Sequence, residues 1–322
     1  MKKSLLSISL MLAMSSTWAE TSKNSDEDME HIIITGSRVL ESIDEVPASV
    51  TLINQQQIQD QLKVSPEIQN LLAVYVPGMA ASTGSSSNST QTLRGRSPLV
   101  MIDGVPQSTP LRNGALGIRT LDPSAIERIE VIKGATSIYG NGAAGGIINY
   151  ITKKANSNKE VSAEATLSTR FSTTKLDDSA GTRVNVTLDG QLDNFSYVFS
   201  ATNEDNGVQR DAEGDVLGLK YGLSDAELEN YFTKLNYDFD DEKYLQFTFN
   251  YYESQQKSDL VDVVGSVNSG QKTYAIVDPE NKPKLGEPQG PKGNKNFMLK
   301  YVDEALLENT QLTVDLYKQN IE

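Results

Sequence analysis

Residues 126–154, IERIEVIKGATSIYGNGAAGGIINYITKK, read as a strand, a run of small residues holding a single tyrosine, and a second strand. In the first half Ile126, Ile129 and Val131 fall on one face, and Arg128, Glu130 and Ile132 on the other. Five glycines lie between Gly134 and Gly146, so the backbone there must turn tightly or approach something closely. The second half, IINYITKK, returns to β-branched residues and ends on Lys153 and Lys154. A glycine hinge between two strands, followed by a change in the character of the chain, predicts the closing element of a small domain.

Upstream, residues 41–154 read as a mixed α/β unit. Ser49 to Ile53 is strand-like, and Asn54 is placed to cap a helix running through Leu62. Ser65-Pro66-Glu67 predicts a second helix, with proline at its first position, ending near Tyr75 before Pro77-Gly78. A Gly/Ser-rich loop from Met79 to Thr90 leads to two expected strands, Gln91 to Arg94 and Leu99 to Ile102, the latter closing on an Asp103-Gly104 turn. After a polar loop from Gln107 to Arg119, Asp122-Pro123-Ser124 starts a short capped helix. The expected core is Leu52, Ile53, Ile58, Leu62, Ile68, Leu71, Leu72, Val100, Ile102, Ile126, Ile129, Val131, Ile147 and Ile148. The two long polar loops are unusual for so small a unit, and long ordered loops tend to carry function.

Downstream, residues 160–322 change to long alternating strands. Val161/Ala163/Ala165/Leu167, Val184/Val186/Leu188, Phe195/Tyr197/Phe199, Tyr231/Leu235/Tyr237, Leu245/Phe247/Phe249/Tyr251, Phe297/Leu299/Tyr301 and Leu312/Val314/Leu316 each recur at period two. Strands of about ten residues cross a bilayer when tilted, and the aromatics gather near strand ends. Short turns (Asp189 to Asn194, Asp240 to Lys243) alternate with long loops (Asn203 to Glu229, Ser254 to Asn296). That rhythm is expected of an outer-membrane barrel rather than a soluble sandwich. Only barrels of about 22 strands enclose a folded plug. Seven strands are roughly a third of one, so Glu322 is expected to fall inside such a barrel and not at its closure.

Composition narrows the chemistry. The chain has 322 residues, 29 basic and 43 acidic, for a net charge of −14, which disfavours a nucleic-acid partner. It has no cysteine and one histidine, His31, which all but excludes zinc sites, thiol nucleophiles and histidine triads within the folded body. Met1-Lys2-Lys3, the apolar run from Leu5 to Met14 and Thr17-Trp18-Ala19 form the three regions of a secretory signal over residues 1–19. Residues 20–40 read as a disordered acidic tail, in which Ile32-Ile33-Ile34-Thr35-Gly36 is a β-prone island. Such an island satisfies its backbone by adding to a partner's sheet edge. On spacing alone it serves equally well as the first strand of the next domain.

These parts together resemble TonB-dependent outer-membrane receptors over the whole chain. EHIIITGSR (Glu30 to Arg38) looks like that family's energy-coupling box. LRGR (Leu93 to Arg96), LVMIDGVP (Leu99 to Pro106) and the 126–154 stretch look like its plug motifs. Within the family the motifs are most similar to ferric-siderophore receptors of the aerobactin-type hydroxamate group. The resemblance implies a mixed α/β plug followed by part of a large antiparallel transmembrane β-barrel, about 7 strands of some 22, in the cell outer membrane. It implies no resident cofactor, iron being carried only as a siderophore chelate. Its partners would be a TonB-type periplasmic coupling protein, pairing as an added strand with Ile32, Ile33, Ile34, Thr35 and Gly36, a ferric siderophore, and outer-membrane lipid. Arg94 and Arg96 would latch plug to wall through barrel acids expected beyond Glu322. Ligand contacts would come from loops 81–91 and 107–119, with Gln107, Arg112, Asn113 and Tyr139 as candidates.

Other readings compete. Gly140-Asn141-Gly142-Ala143-Ala144-Gly145 matches G-x-G-x-x-G, but a strand former follows where a dinucleotide fold needs a helix. The acidic loop Asn203 to Asp215 misses the EF-hand spacing for calcium. A haem or cobalamin receptor of the same family, or a non-transporting attachment barrel, stays open as an alternative function.

Overall fold

A computed structural model describes residues 33–34 and 41–42 (backbone), 48–82, 91–107, 118–137, 142–156, 158–218, 224–256, 258, 260–277, 292–307 and 310–320. The signal segment, most of the tail (Ile32, Thr35 and Gly36 included), Arg112, Asn113 and Tyr139 lie outside the described residues. Ile33–Ile34 (β1) pairs antiparallel with Glu41–Ser42 (β2), in a ladder separate from every other sheet.

The small domain is built on β3 (Ser49–Ile53), β4 (Leu99–Ile102), β5 (Val105–Pro106), β6 (Ile126–Lys133) and β7 (Gly146–Thr152), ordered β3-β6-β7-β4-β5. Only β4 and β7 run parallel. Helix α1 (Gln55–Leu62) starts in a full capping box: the Asn54 side chain accepts from the Gln57 amide, and the Gln57 side chain accepts from the Asn54 amide, both at 2.9 Å. Helix α2 (Ile68–Tyr75) begins two residues later than the proline-first expectation, with Glu67 as N-cap and no side-chain cap bond. Ile126, Ile129, Val131 and Tyr150 pack with Ile58, Leu71 and Leu72 on one face, while Leu99, Met101, Ile132 and Ile147 pack on the other. A bulge at Glu127 keeps Ile126 and Ile129 on the same face although three residues separate them.

The segment Gln91 to Arg94 is not a strand, contrary to expectation. Leu93 makes isolated bridges to Met79 and Arg96 around a turn in which Arg94 and Gly95 are left-handed. The local pattern TLRGR carries too few β-branched residues to hold a strand against the glycine.

The glycine run joins β6 to β7 by close packing. Gly145 donates to Ser97 O at 3.0 Å, and a Cβ on Gly146 would lie 2.2 Å from Ile132 O at φ +128°. No helix follows, so the dinucleotide reading fails on geometry.

Beyond it come β8 (Ser162–Arg170), β9 (Gly181–Leu192), β10 (Phe195–Asn206), β11 (Val216–Leu217), β12 (Ala226–Asp238), β13 (Lys243–Gln256), β14 (Leu260–Val263), β15 (Tyr274–Val277), β16 (Lys292–Leu307) and β17 (Thr310–Asn320). Seven of these, β8, β9, β10, β12, β13, β16 and β17, form one antiparallel meander in chain order. The short strands β11, β14 and β15 make a separate sheet within the long loops. Along β9, Arg183, Asn185 and Thr187 are buried on the inner face, while Val184, Val186 and Leu188 are 39%, 46% and 37% exposed on the outside. Register aligns the outer row across strands: Phe199 faces Leu188, Leu235 faces Phe247, and Leu299 faces both Phe247 and Leu316. Apolar outside and polar inside is the arrangement of a lipid-facing wall. Tyr237, Phe239 and Tyr301 stack edge to face near the short turns at 5.2 and 6.5 Å, as an interfacial girdle does. No helix among the described residues is long and apolar enough to cross a membrane.

Gly146→Ala combines a strained φ with backbone overlap and is expected to destabilise the small domain by more than about 3 kcal/mol. Gly104→Ala, at φ +84° with nothing within 4 Å, is expected to lose only about 1 kcal/mol. Denaturant unfolding of the two purified variants checks the difference.

Candidate functional site

The small domain meets the inner face of the wall through two polar clusters with an apolar seal between them. The first cluster grows from the turn that Asp122 caps. Its carboxylate accepts from the Ser124 amide at 2.8 Å and from the Arg183 guanidinium of β9 at 2.7 Å. Arg183 also donates to Ser124 Oγ at 2.9 Å and to Glu204 Oε2 of β10 at 2.8 Å, and Glu204 accepts from Arg170 at 2.7 Å. The preceding backbone is held as well: Asp122 N donates to Asn230 Oδ1 at 3.1 Å, and Asn250 Nδ2 donates to Thr120 O at 2.7 Å. Arg119, 1% exposed, donates to Ser254 Oγ at 2.9 Å with Glu67 Oε2 3.6 Å from its Nε.

The second cluster surrounds the β4–β5 turn. Asp103 and Gly104 are both left-handed, at φ +47° and +84°, as a two-residue hairpin of the mirror-image type requires. Asp103 accepts from Thr152 N at 2.9 Å and Thr152 Oγ1 at 2.6 Å, and Gly104 N donates to Asn149 Oδ1 at 3.0 Å. From the wall, Lys234 Nζ lies 3.2 Å from Asp103 Oδ2 and donates to Thr152 Oγ1 at 2.7 Å. Lys300 Nζ donates to Asp103 O at 2.9 Å, and Gln319 Nε2 donates to Pro106 O at 2.8 Å. Val198, Phe232 and Met298 of the wall join the small domain's core and exclude water between the clusters.

Electrostatics follow from this geometry. Burial by itself would raise Asp122, but Arg183 and the Ser124 bonds overcome it and hold the carboxyl below its usual range. Asp103 is likewise pushed up by burial and pulled down further by Lys234 and Thr152. Glu67 moves the other way, because burial outweighs the attraction of Arg119.

The sequence-predicted residues fare differently. Arg94 and Arg96 are exposed on their turn, and among the described residues no carboxylate pairs with either. Gln107 is buried, 1% exposed, and its side-chain amide donates to Val105 O at 3.0 Å; residues 108–117 of its loop lie outside the described residues. Of the β-prone island at residues 32–36, Ile33 and Ile34 are described, and they pair within the chain. In the acidic loop Lys272 sits among Asp211 (2.8 Å), Asp215 (2.6 Å) and Glu213, so an ammonium balances these carboxylates. The residues that sequence reasoning missed, Asp103, Asp122, Arg183 and Lys234, had local roles as turn, cap and strand positions. For the two wall residues the signal was a charge among polar inward positions, Arg183 beside Asn185 and Thr187, and Lys234 beside Asn230 and Asn236.

Comparison with known proteins agrees with this architecture. The TonB-dependent receptor plug domain matches residues 42–147. A rhizobactin receptor of Rhizobium meliloti (strain 1021) is 31% identical over 239 residues, covering 72% of this chain and 31% of that protein. A ferric aerobactin receptor of Klebsiella pneumoniae is 29% identical over 235 residues, covering 72% and 32%. The chain thus spans about a third of the length of these curated relatives. Among solved structures, the siderophore receptor PiuA from Acinetobacter baumannii superposes with a TM-score of 0.60 at 18% identity, over 90% of this chain and 39% of that one, which shows a shared fold.

Arg183→Met leaves the buried Asp122 without a cation and Glu204 with Arg170 alone, so it is expected to destabilise the docked domain by about 3–5 kcal/mol. Adding Asp122→Asn is expected to recover part of that loss, which a double-mutant cycle on unfolding measures. Both depressed acids contribute stability that is complete above the usual carboxylate pKa of about 4 and is lost as pH falls through their lowered values. Resistance of the small domain to protease is therefore expected to stay level from about pH 7 to 5 and to drop below about 4.

Proposed function

Because the chain carries the plug of a TonB-dependent outer-membrane receptor with a seven-stranded sector of its barrel wall, we propose that it takes part in ferric-siderophore uptake energised from the inner membrane. The observation that carries this reading is the plug–wall contact itself. It is made of discrete ion pairs and hydrogen bonds around a small apolar seal, so it holds the small domain to the wall yet can break bond by bond into water. A purely structural stopper would be sealed by a continuous apolar face.

The relatives named for rhizobactin and aerobactin support a hydroxamate-type chelate as cargo. Iron enters as part of that substrate and needs no resident metal site. The family is one of receptors, not enzymes, and nothing in the plug–wall contact calls for a reaction. Loops at the long-loop end would take the chelate, with Arg112 and Asn113 the candidates to meet its anionic groups.

Energy would arrive through Ile32 to Gly36. A strand added to the coupling protein transmits load through backbone hydrogen bonds and asks little of the side chains. The force would reach the plug through residues 37–48 and then β3, which pairs with β6 from Ser49 opposite Lys133 to Ile53 opposite Ile129. Pulling on β3 therefore loads the same sheet that holds Asp103 and Thr152.

Deleting residues 32–36 is expected to leave binding of iron-loaded aerobactin intact and to abolish its uptake by whole cells. Uptake that continues undiminished would refute the coupling role, and absence of any chelate binding by the unaltered protein would refute the cargo assignment.

A further inference from the structure

Three connections join the wall strands at their long-loop end: residues 171–180 between β8 and β9, 207–225 between β10 and β12, and 257–291 between β13 and β16. Long loops are ordinarily the independently mobile parts of a fold. The described residues of these three interlock instead. Strand β15 of the third connection lies between β14 of its own and β11 of the second, with Val216 opposite Ala275 and Leu217 opposite Tyr274. Val208 of the second packs with Leu260 and Ala275 of the third in a small core that Val216 borders. The first connection is tied in through its backbone. Val208 N donates to Asp178 O at 2.7 Å, Arg210 Nη2 to Asp177 O at 2.9 Å, and Thr174 Oγ1 to Asp211 O at 3.3 Å. Gly207 permits that approach, since a Cβ there would lie 2.6 Å from Asp178 O.

One charged group sits at the join. Lys272 of the third connection has its Nζ 2.8 Å from Asp211 Oδ2 and 2.6 Å from Asp215 Oδ2, and it holds Glu213 as well. All three acids belong to the second connection, so these pairs cross from one connection to another. One carboxylate oxygen from each of the three lies within 4.8 Å of the others. Without the ammonium, like charges at that separation repel and push the 211–215 turn open. The same turn receives the first connection's Thr174 bond, and Arg210 beside it holds Gly214 O at 2.9 Å as well as Asp177 O. Removing Lys272 therefore acts on all three connections at a single point.

We propose that the three connections form one cooperative unit keyed by Lys272, which spans the ends of β8 to β16 and opens or closes as a whole. The apolar core gives the unit its bulk, and the ammonium fixes the fit between its parts. A half-exposed ion pair contributes little by itself. Here its loss leaves three acids facing one another, which makes Lys272 the sensitive point. The inference concerns motion at this end of the wall and holds whatever solute the wall serves.

Amide hydrogen exchange on the full-length receptor tests it. Val208 N, bonded to Asp178 O, and Leu217 N, bonded to Gln209 O, report from the second connection. Lys272→Gln is expected to speed exchange at both by about tenfold, to leave the amides of Phe232 to Leu235 in β12 unchanged, and to lose this effect when the substitution is Lys272→Arg. Acceleration confined to residues 260–277, or none at all, overturns the proposal. If the β12 amides accelerate as well, the unaltered receptor in about 1 M salt supplies the same comparison, because salt screens the ion pairs and leaves the wall intact. Faster exchange there at Val208 and Leu217 together supports the unit, and unchanged exchange at both overturns it.

Discussion

A buried carboxylate must find a cation or lose its charge, and two carboxylates of the plug, Asp103 and Asp122, find theirs on the wall. Lys234 reaches the first and Arg183 the second. This constraint places the plug against β9, β10 and β12, at two separate points along the strands, and so fixes rotation as well as position. The rest follows. The wall strands must alternate, because the same residues that bury Arg183, Asn185 and Thr187 inward expose Val184, Val186 and Leu188 to lipid. The turn at Asp103-Gly104 must be left-handed at both residues to aim the carboxylate at Thr152 and Lys234 together.

Much of this was legible in the sequence, and the limits have physical causes. The seven wall strands follow from period-two alternation, because one face meets lipid and the other meets polar groups. The Asn54 and Asp122 caps are local signals and appear where local chemistry predicts them, while the return bond from Gln57 that completes the box at Asn54 was not anticipated. Strand β6 could be assigned its two faces, with Ile126, Ile129 and Val131 together, although only the bulge at Glu127 reconciles that grouping with strict alternation. The segment around Leu93 was misjudged because its bridges depend on Met79, fourteen residues away, and on no pattern of its own.

The site was less legible than the fold. Ion pairs between Asp122 and Arg183, or between Asp103 and Lys234, join residues far apart in sequence, and a single sequence holds no signal for such pairs. Arg94 and Arg96 stood out as a motif and lie on an exposed turn; the acids expected to pair with them belong to wall beyond Glu322, so their latch role stays an expectation. Gln107 looked like a loop residue and is interior, because the β4–β5 hairpin continues into it: its amide donates to Val100 O at 2.8 Å. A charged residue on the small-polar face of a wall strand is the better guide to what touches the plug.

The most direct test of the account is to lock the plug to the wall where the two are held together. Asn250 donates to Thr120 O across the contact at 2.7 Å, so Thr120→Cys with Asn250→Cys brings two thiols within reach of a short bis-methanethiosulfonate cross-linker, which forms a disulfide to each thiol with loss of methanesulfinate. Cross-linked receptor should bind iron-loaded aerobactin and fail to take it up, with uptake returning when a cleavable linker is cut. Full uptake with the cross-link complete would contradict the claim that this contact must open.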